Sequence, residues 1–362
     1  MAALFIFTIG MQLRPILHKI AHWETWDWRI KYVPIVPIWV WNCFRARSWW
    51  FFTPSNPKLE FGGFEGMTKM SIYEHLPPAT YPKTVGVKAN IPFSELEQTV
   101  SETFQYPFAV KPDVGRMGFM FRIISSAAQL RLYHEAMLVN YVVQEFVTYP
   151  LEVSVFYYRF PNEAKGTITG FVRKEFLDVV GDGTSTLDEL MTACPKLRFR
   201  LPEMRAKHAD RLHFVLHNGE RICMSNALNL SRGCSLKSLD EEIDARLVSV
   251  FDEISSYSDT LYYGRYDIKC ASIEDLKAGR NFLILEYNGS GAEPHHVYGN
   301  GNTLFEACRI LARHWNILYQ ISKEHRKRGV RYYRFNQGWK TMRNCRKYFH
   351  ELKKIDANFP EF

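Results

Sequence analysis

The sequence predicts an α+β protein with an antiparallel component. Short runs rich in β-branched and aromatic residues recur between glycine and proline breaks. Two of them flank the glycine-bearing segment 113–118 and read as a hairpin. Between the strands lie stretches of helical period. In the clearest, Asp240 to Ser256, Ile243, Leu247, Val250 and Ile254 recur at spacings of four, three and four. The chain has 362 residues, 46% hydrophobic and 23% charged. That composition suits a folded chain of about two domains and excludes disordered and multi-span membrane classes.

The elements follow in order. Asn56-Pro57 and Gly62-Gly63 mark a loop, Thr84–Ala89 a short strand and Phe93–Phe104 a helix. Phe108–Pro112 is a strand stopped by proline, and Phe119–Ile124 its hairpin partner. Ala127–Val139 has helical spacing, while Tyr141–Val147 and Glu152–Tyr158 read as strands. Strand content continues over Thr167–Val180 and breaks at Gly181-Asp-Gly183. Thr184-Ser-Thr186 then offers an N-cap, with Asp188 and Glu189 placed for a capping box and a helix from Leu187. Tyr262–Cys270 and Asn281–Asn288 are neighbouring strands, and Leu304–Ser322 is a long helix.

Net charge is +8 but unevenly placed. Lys323–Lys354 holds twelve Lys or Arg against two acids, and residues 1–50 hold six against two. The remainder is mildly acidic, with 28 basic and 34 acidic residues. A single-sign nucleic-acid-binding domain is therefore disfavoured. Seven cysteines, with no C-x-x-C, fit neither a disulfide framework nor a zinc ribbon and suit a reducing compartment.

Residues 1–55 form a distinct basic, aromatic arm. Seven of nine tryptophans lie at 23, 26, 28, 39, 41, 49 and 50. The apolar start, Ala2–Met11, and the run Tyr32–Trp41 are each far short of the about 20 residues of a spanning helix. Pro34 and Pro37 disfavour a straight helix there. One reading lays this arm on an anionic membrane surface, with Arg45 and Arg47 near headgroups. The other packs it on the body or on a partner subunit.

Two places gather chemistry. Strand alternation puts Glu286 and Asn288 on one face, and Arg265, Asp267 and Lys269 on one face of the preceding strand. If the faces coincide, oxygen donors suited to Mg²⁺ converge with cations, and the glycines after Asn288 admit a ligand. The plainer alternative is a solvated sheet face with cross-strand ion pairs. The second place is Val110-Lys-Pro-Asp-Val-Gly-Arg-Met-Gly118, where Lys111 precedes a loop able to offer N–H groups to phosphate. A plain hairpin is its alternative. His208, His213 and His217 lack a convincing ligand set, while His295-His296 lies beside the first cluster and is a weaker substrate contact.

Taken in order, these pieces resemble the ATP-grasp superfamily of carboxylate–amine ligases, over about Lys69 to Ser322. Val110–Gly118 looks like the phosphate-covering hairpin, Gln144-Glu-Phe-Val147 like the adenine hinge, and Glu152 like the ribose-binding acid. Asp267, Glu286 and Asn288 stand where the magnesium ligands stand. Val179–Leu190, Leu216–Glu220 and Asn229–Gly233 are similar to cyanophycin-synthetase-like and fused glutathione-synthesising enzymes, with D-alanine–D-alanine ligases more distant. The whole also resembles bacterial ATP-grasp proteins that begin with an aromatic, lipid-facing arm.

The resemblance implies an ATP-grasp fold, two α+β lobes sandwiching ATP, with a truncated or atypical N-terminal domain. It divides the chain into the arm 1–55, a short region 56–106, the ATP-grasp domain 107–322 and a basic tail 323–362. It implies cofactor contacts at Lys69, Lys111, Arg116, Gln144, Glu145, Phe146, Val147, Glu152 and Lys174, and about two Mg²⁺ ions. Arg265 and Lys174 become the catalytic residues. The substrates are a small-molecule or lipid-linked carboxylate and amine. The protein would be cytoplasmic, peripheral at the inner face of the membrane, with a homodimer as the common assembly of such relatives. Competing readings are a catalytically silent, membrane-tethered Mg·ATP-binding module, and nucleic-acid binding through the basic tail.

Overall fold

The computed structural model describes residues 23, 26, 28–194, 197, 201–224, 234–299 and 301–360. The apolar start Ala2–Met11 and the motif Asn229–Gly233 lie outside these. The described helices are α1 (Trp28–Tyr32), α2 (Val36–Ala46), α3 (Lys69–Tyr73), α4 (Phe93–Thr103), α5 (Ala127–Ala136), α6 (Leu187–Ala193) and α7 (Leu201–Lys207). There follow α8 (Ala245–Tyr257), α9 (Ile273–Lys277), α10 (His296–Gly299), α11 (Leu304–Lys327) and α12 (Phe335–Asn358). The strands are β1 (Thr84–Val87), β2 (Phe108–Pro112), β3 (Arg122–Ile124), β4 (Tyr141–Glu145), β5 (Leu151–Tyr158) and β6 (Thr167–Glu175). The rest are β7 (Asp178–Val180), β8 (Arg221–Cys223), β9 (Ser235–Ser238), β10 (Tyr263–Cys270) and β11 (Phe282–Asn288).

The chain is a mixed α+β protein built on antiparallel sheets. Four strands pair in the order β1-β4-β2-β3, five in the order β11-β10-β5-β6-β9, and β7 pairs with β8. All named pairs are antiparallel. The four-stranded sheet is covered by α4 and α5, whose Leu96, Val100, Leu130 and Tyr133 bury against Phe108, Val110, Tyr141 and Val143. The five-stranded sheet sends Val153, Val155, Tyr266, Ile268 and Ile284 into a core with Leu247, Phe251 and Ile254 of α8.

Local chemistry fixes the helix starts. Thr186 and Glu189 form the capping box on α6, and Thr303 and Glu306 form another on α11. Asp244 caps α8 by accepting from Leu247 N, so that helix starts at Ala245 and Ile243 stands outside it. This corrects the sequence expectation of a helix from Asp240, since residues 240–242 are a 3₁₀ turn. Phe119–Phe121 are not strand, and β3 begins at Arg122.

The basic C-terminal segment is folded onto the body. α11 runs five residues past Ser322, and α12 covers the four-stranded sheet through Tyr348, Phe349, Leu352 and Ile355. Basic residues predominate, but these apolar residues recur at helical spacing and find a partner surface. The described part of the arm also packs inward. Trp39 meets Phe51, Phe52 and Trp315, and the Asn42 amide donates to the Trp315 carbonyl. Pro34 sits in a 3₁₀ turn and Pro37 in the first turn of α2, where a missing N–H costs nothing. No helix among the described residues is long and apolar enough to cross a membrane.

Candidate nucleotide and metal site

The site begins with strand register. In β10 and β11, Arg265 lies opposite Asn288 and Asp267 opposite Glu286. On the other side of β10, Asp267 lies opposite Ser154 and Lys269 opposite Glu152, while Glu152 pairs with Lys174 of β6. Side chains directly opposite share a face. The two faces inferred from alternation therefore coincide. A register shift between Asp267 and Ile268 leaves Leu285 as an extra residue in β11. Such a bulge turns its backbone out of the ladder. The Leu285 carbonyl accepts from Lys111 Nζ at 3.2 Å and from the Tyr73 hydroxyl at 3.0 Å. Lys111 of the four-stranded sheet thus reaches β11 of the five-stranded sheet.

Asp267 is the centre of the cluster. Its Oδ1 accepts from Ser154 Oγ at 2.7 Å and faces Lys174 Nζ at 3.1 Å. Arg265 donates to both its oxygens at 3.3 and 3.2 Å, and Asn288 Nδ2 donates to Oδ2 at 3.3 Å. Burial alone raises the Asp267 carboxyl, but Arg265 and Lys174 outweigh it and hold the group well below the usual carboxylate range. Lys174 also meets Glu152 Oε1 at 3.1 Å. Burial lowers the Lys174 ammonium, yet Asp267 and Glu152 reverse this and raise it. Burial raises Glu152 against the pull of Lys174. The Arg265 guanidinium is further held by the Glu293 carbonyl at 2.7 Å.

Lys111 lies among different neighbours. Burial first, and Lys69 second, push its ammonium down to about 7. Lys69 is itself buried, and a Cβ on Gly115 would fall 2.6 Å from its Nζ. That loop position has to be glycine for the amine to sit there. Five cations, Lys69, Lys111, Lys174, Arg265 and Lys269, thus face three carboxylates, Glu152, Asp267 and Glu286, an excess of two positive charges if all are ionised. A polyanion is the natural complement of such a cluster.

Other expected contacts are placed differently. Gln144 is buried and its amide donates to Tyr73 and Thr84 at 2.7 Å, so its side chain serves the sheet. Glu145 is exposed and its backbone N–H bonds the Lys83 carbonyl. Phe146 and Val147 lie beside the cluster through Lys269, which donates to the Val147 carbonyl at 3.1 Å and approaches the Phe146 ring. Arg116 is half exposed on the rim, paired with Glu65 at 3.0 Å. The glycines after Asn288 admit chain rather than ligand. A Cβ on Gly289 would fall 2.9 Å from the Gly62 carbonyl oxygen, and one on Gly291 2.3 Å from that of Phe64. This corrects the reading of those glycines as room for a ligand.

Sequence reasoning did not assign Ser154, Tyr73 or Gly115. Ser154 had a signal, standing two residues after Glu152 on the same strand face. Tyr73 had none, because its contact is made across 212 residues of chain. The two adjacent histidines part company. His295 is buried near Arg265, Asp267 and Lys174, with Nδ1 unpartnered among the described residues. His296 packs against Gly170, whose Cβ would fall 2.0 Å from the imidazole.

The donor set suits Mg²⁺ in chemistry, with two carboxylates and one amide on neighbouring register positions. Glu286 is only partly buried, and Asn288 would have to present Oδ1 instead of Nδ2. Among the described residues no group of three His, Cys, Asp or Glu is set to hold a metal.

No protein-family model matches the sequence, and no curated protein matches it. Among solved structures, the chain is similar to a bifunctional glutathione synthetase from Pasteurella multocida at 12% identity and TM-score 0.40, covering 67% of this chain and 34% of that one. A D-alanine–D-alanine ligase from Bacillus anthracis gives 14% identity and TM-score 0.38, covering 72% and 66%. An ATP-grasp ligase solved with its minimal precursor gives 12% identity and TM-score 0.34, covering 66% and 56%. The chain thus spans about a third of the Pasteurella enzyme's length. These likenesses to ATP-grasp ligases are distant and assign no activity.

Proposed function

We propose that this chain is an ATP- and Mg²⁺-dependent ligase that activates a carboxylate as an acyl phosphate and joins it to an amine. The observation that supports this most is the approach of Lys111 on one sheet to the strand carrying Glu286 and Asn288 on the other, with Lys174 and Arg265 around Asp267. Buried cations from two sheets are what a triphosphate between them requires.

In the proposed reaction a substrate carboxylate oxygen attacks the γ-phosphorus of ATP. The bond to the β,γ-bridging oxygen breaks and ADP leaves. The amine lone pair then attacks the acyl carbon, the tetrahedral intermediate expels phosphate, and the surplus amine proton passes to solvent. No nucleophile on the protein is needed, so its work is positioning and charge. In this reading Lys111 and Lys69 would hold phosphate oxygens from the loop side, and Lys174 from the other. Arg265, already fixed by Asp267 and Glu293, would donate to the oxyanion of the intermediate without reorganising. Mg²⁺ held by Asp267, Glu286 and Asn288 would neutralise phosphate charge. A small-molecule or lipid-linked acid and an amine are the substrates in this reading, and the cytoplasm, which supplies ATP and keeps the seven cysteines reduced, is its place.

The test is turnover of Mg·ATP over a pool of carboxylic acids with hydroxylamine as trap. A hydroxamate supports carboxylate activation and identifies the acid. ADP without hydroxamate makes the protein a kinase or an uncoupled ATPase. Mg·ATP binding with neither product points to a silent module or to a lipid-linked acid missing from the pool.

A further inference from the structure

Independently of that reading, we infer that α2 and the start of α12 form one face that docks on an anionic phospholipid surface. α2 has two sides. Trp39, Asn42, Cys43 and Ala46 turn inward. Val36, Val40, Trp41 and Phe44 recur at helical spacing on the other side and stand exposed, Phe44 to 72%, with Val33 of the preceding 3₁₀ turn exposed beside them. Trp41 and Phe44 stack on each other with ring centroids 5.7 Å apart. Across the surface, Phe335 and Trp339 are exposed too and stack at 6.3 Å. Trp50 links the two groups, its indole donating to the Phe335 carbonyl.

Between them runs an open groove of about 820 Å³, lined by Val40, Phe44, Trp49 and Phe335 and by Arg47, Arg326, Arg331 and Arg334. No carboxylate lines it. None of these four arginines forms an ion pair among the described residues. A large apolar patch on a folded surface marks an interaction site. The combination here is more specific. Indole and phenyl rings prefer the water–lipid boundary, and guanidinium forks match phosphate oxygens. Aromatics standing beside a cationic groove fit acyl chains beside phosphate headgroups. The face is also joined to the body, since on the inward side of α2 the Asn42 amide donates to the Trp315 carbonyl and Asn316 Oδ1, and Trp39 packs edge-on against Trp315 of α11. Docking would therefore fix the orientation of the whole molecule.

The experiment is co-sedimentation of the full chain with vesicles of equal parts phosphatidylglycerol and phosphatidylcholine, beside phosphatidylcholine alone. Binding to the anionic vesicles is expected, weakened by salt. Phe44→Asp, and separately Arg331→Glu with Arg334→Glu, should each lower the partition coefficient about tenfold or more, while Phe44→Leu keeps it. These side chains are exposed, so circular dichroism and the urea midpoint should not move. A readout on the unaltered chain is quenching of tryptophan emission by brominated acyl chains, expected for Trp41 and Trp49 at the interface. The inference is overturned if the chain stays in the supernatant, binds both vesicles equally, or binds RNA but not vesicles. It also falls if the variants abolish self-association instead, which would make the face a contact between copies.

Discussion

Lys174 and Asp267 form a buried ion pair, Nζ to Oδ1 at 3.1 Å, with both side chains 7% exposed. Glu152 completes it from the other side at the same distance. One ammonium thus sits between two carboxylates in a place water hardly reaches, with Arg265 as the second cation on Asp267. Removing one partner of such a pair strands the other charge. Lys174→Met is expected to cost about 3–5 kcal/mol of stability as well as turnover. Adding Asp267→Asn should return part of that stability but none of the activity. Urea unfolding of the two single variants and the double variant measures the coupling. Additive costs would show that the pair carries no interaction energy.

Glu286 gives the complementary case. It is partly exposed, so Glu286→Gln should leave the unfolding midpoint within about 0.5 kcal/mol of the parent. On the proposed chemistry it abolishes Mg·ATP turnover. A variant with full activity would remove Glu286 from the metal set.

Lys111 makes a pH-dependent expectation. Its ammonium is pushed down to about 7 in the folded chain, against about 10.4 when unfolded. Between those values the unfolded chain binds the proton and the folded chain does not, so this group makes stability rise with pH. Below about pH 7 both states are charged, and the folded state bears the full cost of burial. Lys111→Met should therefore be favoured most at about pH 6, and its advantage should shrink by on the order of 3 kcal/mol by about pH 10. Parallel stability profiles for variant and parent would sink the assignment. Bound nucleotide should raise the Lys111 value, giving proton uptake on binding in calorimetry at about pH 8.

Asn56, the residue directly after the aromatic arm, fastens the chain there to the start of β10. Its Oδ1 accepts from the N–H groups of Tyr262 and Tyr263 at 2.9 and 3.1 Å, and its Nδ2 donates to the carbonyls of Gly62 and Tyr263, both at 3.0 Å. Asn56→Ala leaves the Tyr263 N–H without its partner, and takes one of two partners from the Tyr262 N–H and from the Gly62 and Tyr263 carbonyls, which keep Thr260, Ser290 and Tyr287; it should cost about 1–3 kcal/mol. Hydrogen exchange should quicken first at residues 262 and 263. Unchanged protection there would show the contacts to be dispensable.

What the sequence determined by itself is local. Periodicity and caps placed α6, α11 and every strand of both large sheets except β9 to within a few residues, because side-chain alternation and N-cap chemistry act over a handful of positions. The same alternation put Arg265 with Asp267, and Glu286 with Asn288. Charge counting found the basic C-terminal segment but not its packing, because net charge says nothing of the apolar stripe Tyr348, Leu352 and Ile355 until a partner surface exists. Only the tertiary structure decided the rest. The β10–β11 register brought the two polar faces together, and the bulge at Leu285 gave Lys111 an acceptor 174 residues away. It also turned the glycines after Asn288 into seats for residues 62–64, and divided the arm into a packed side and an exposed one. Each of these depends on which distant surfaces meet, and that is set by the packing of whole sheets and helices rather than by any short stretch of residues.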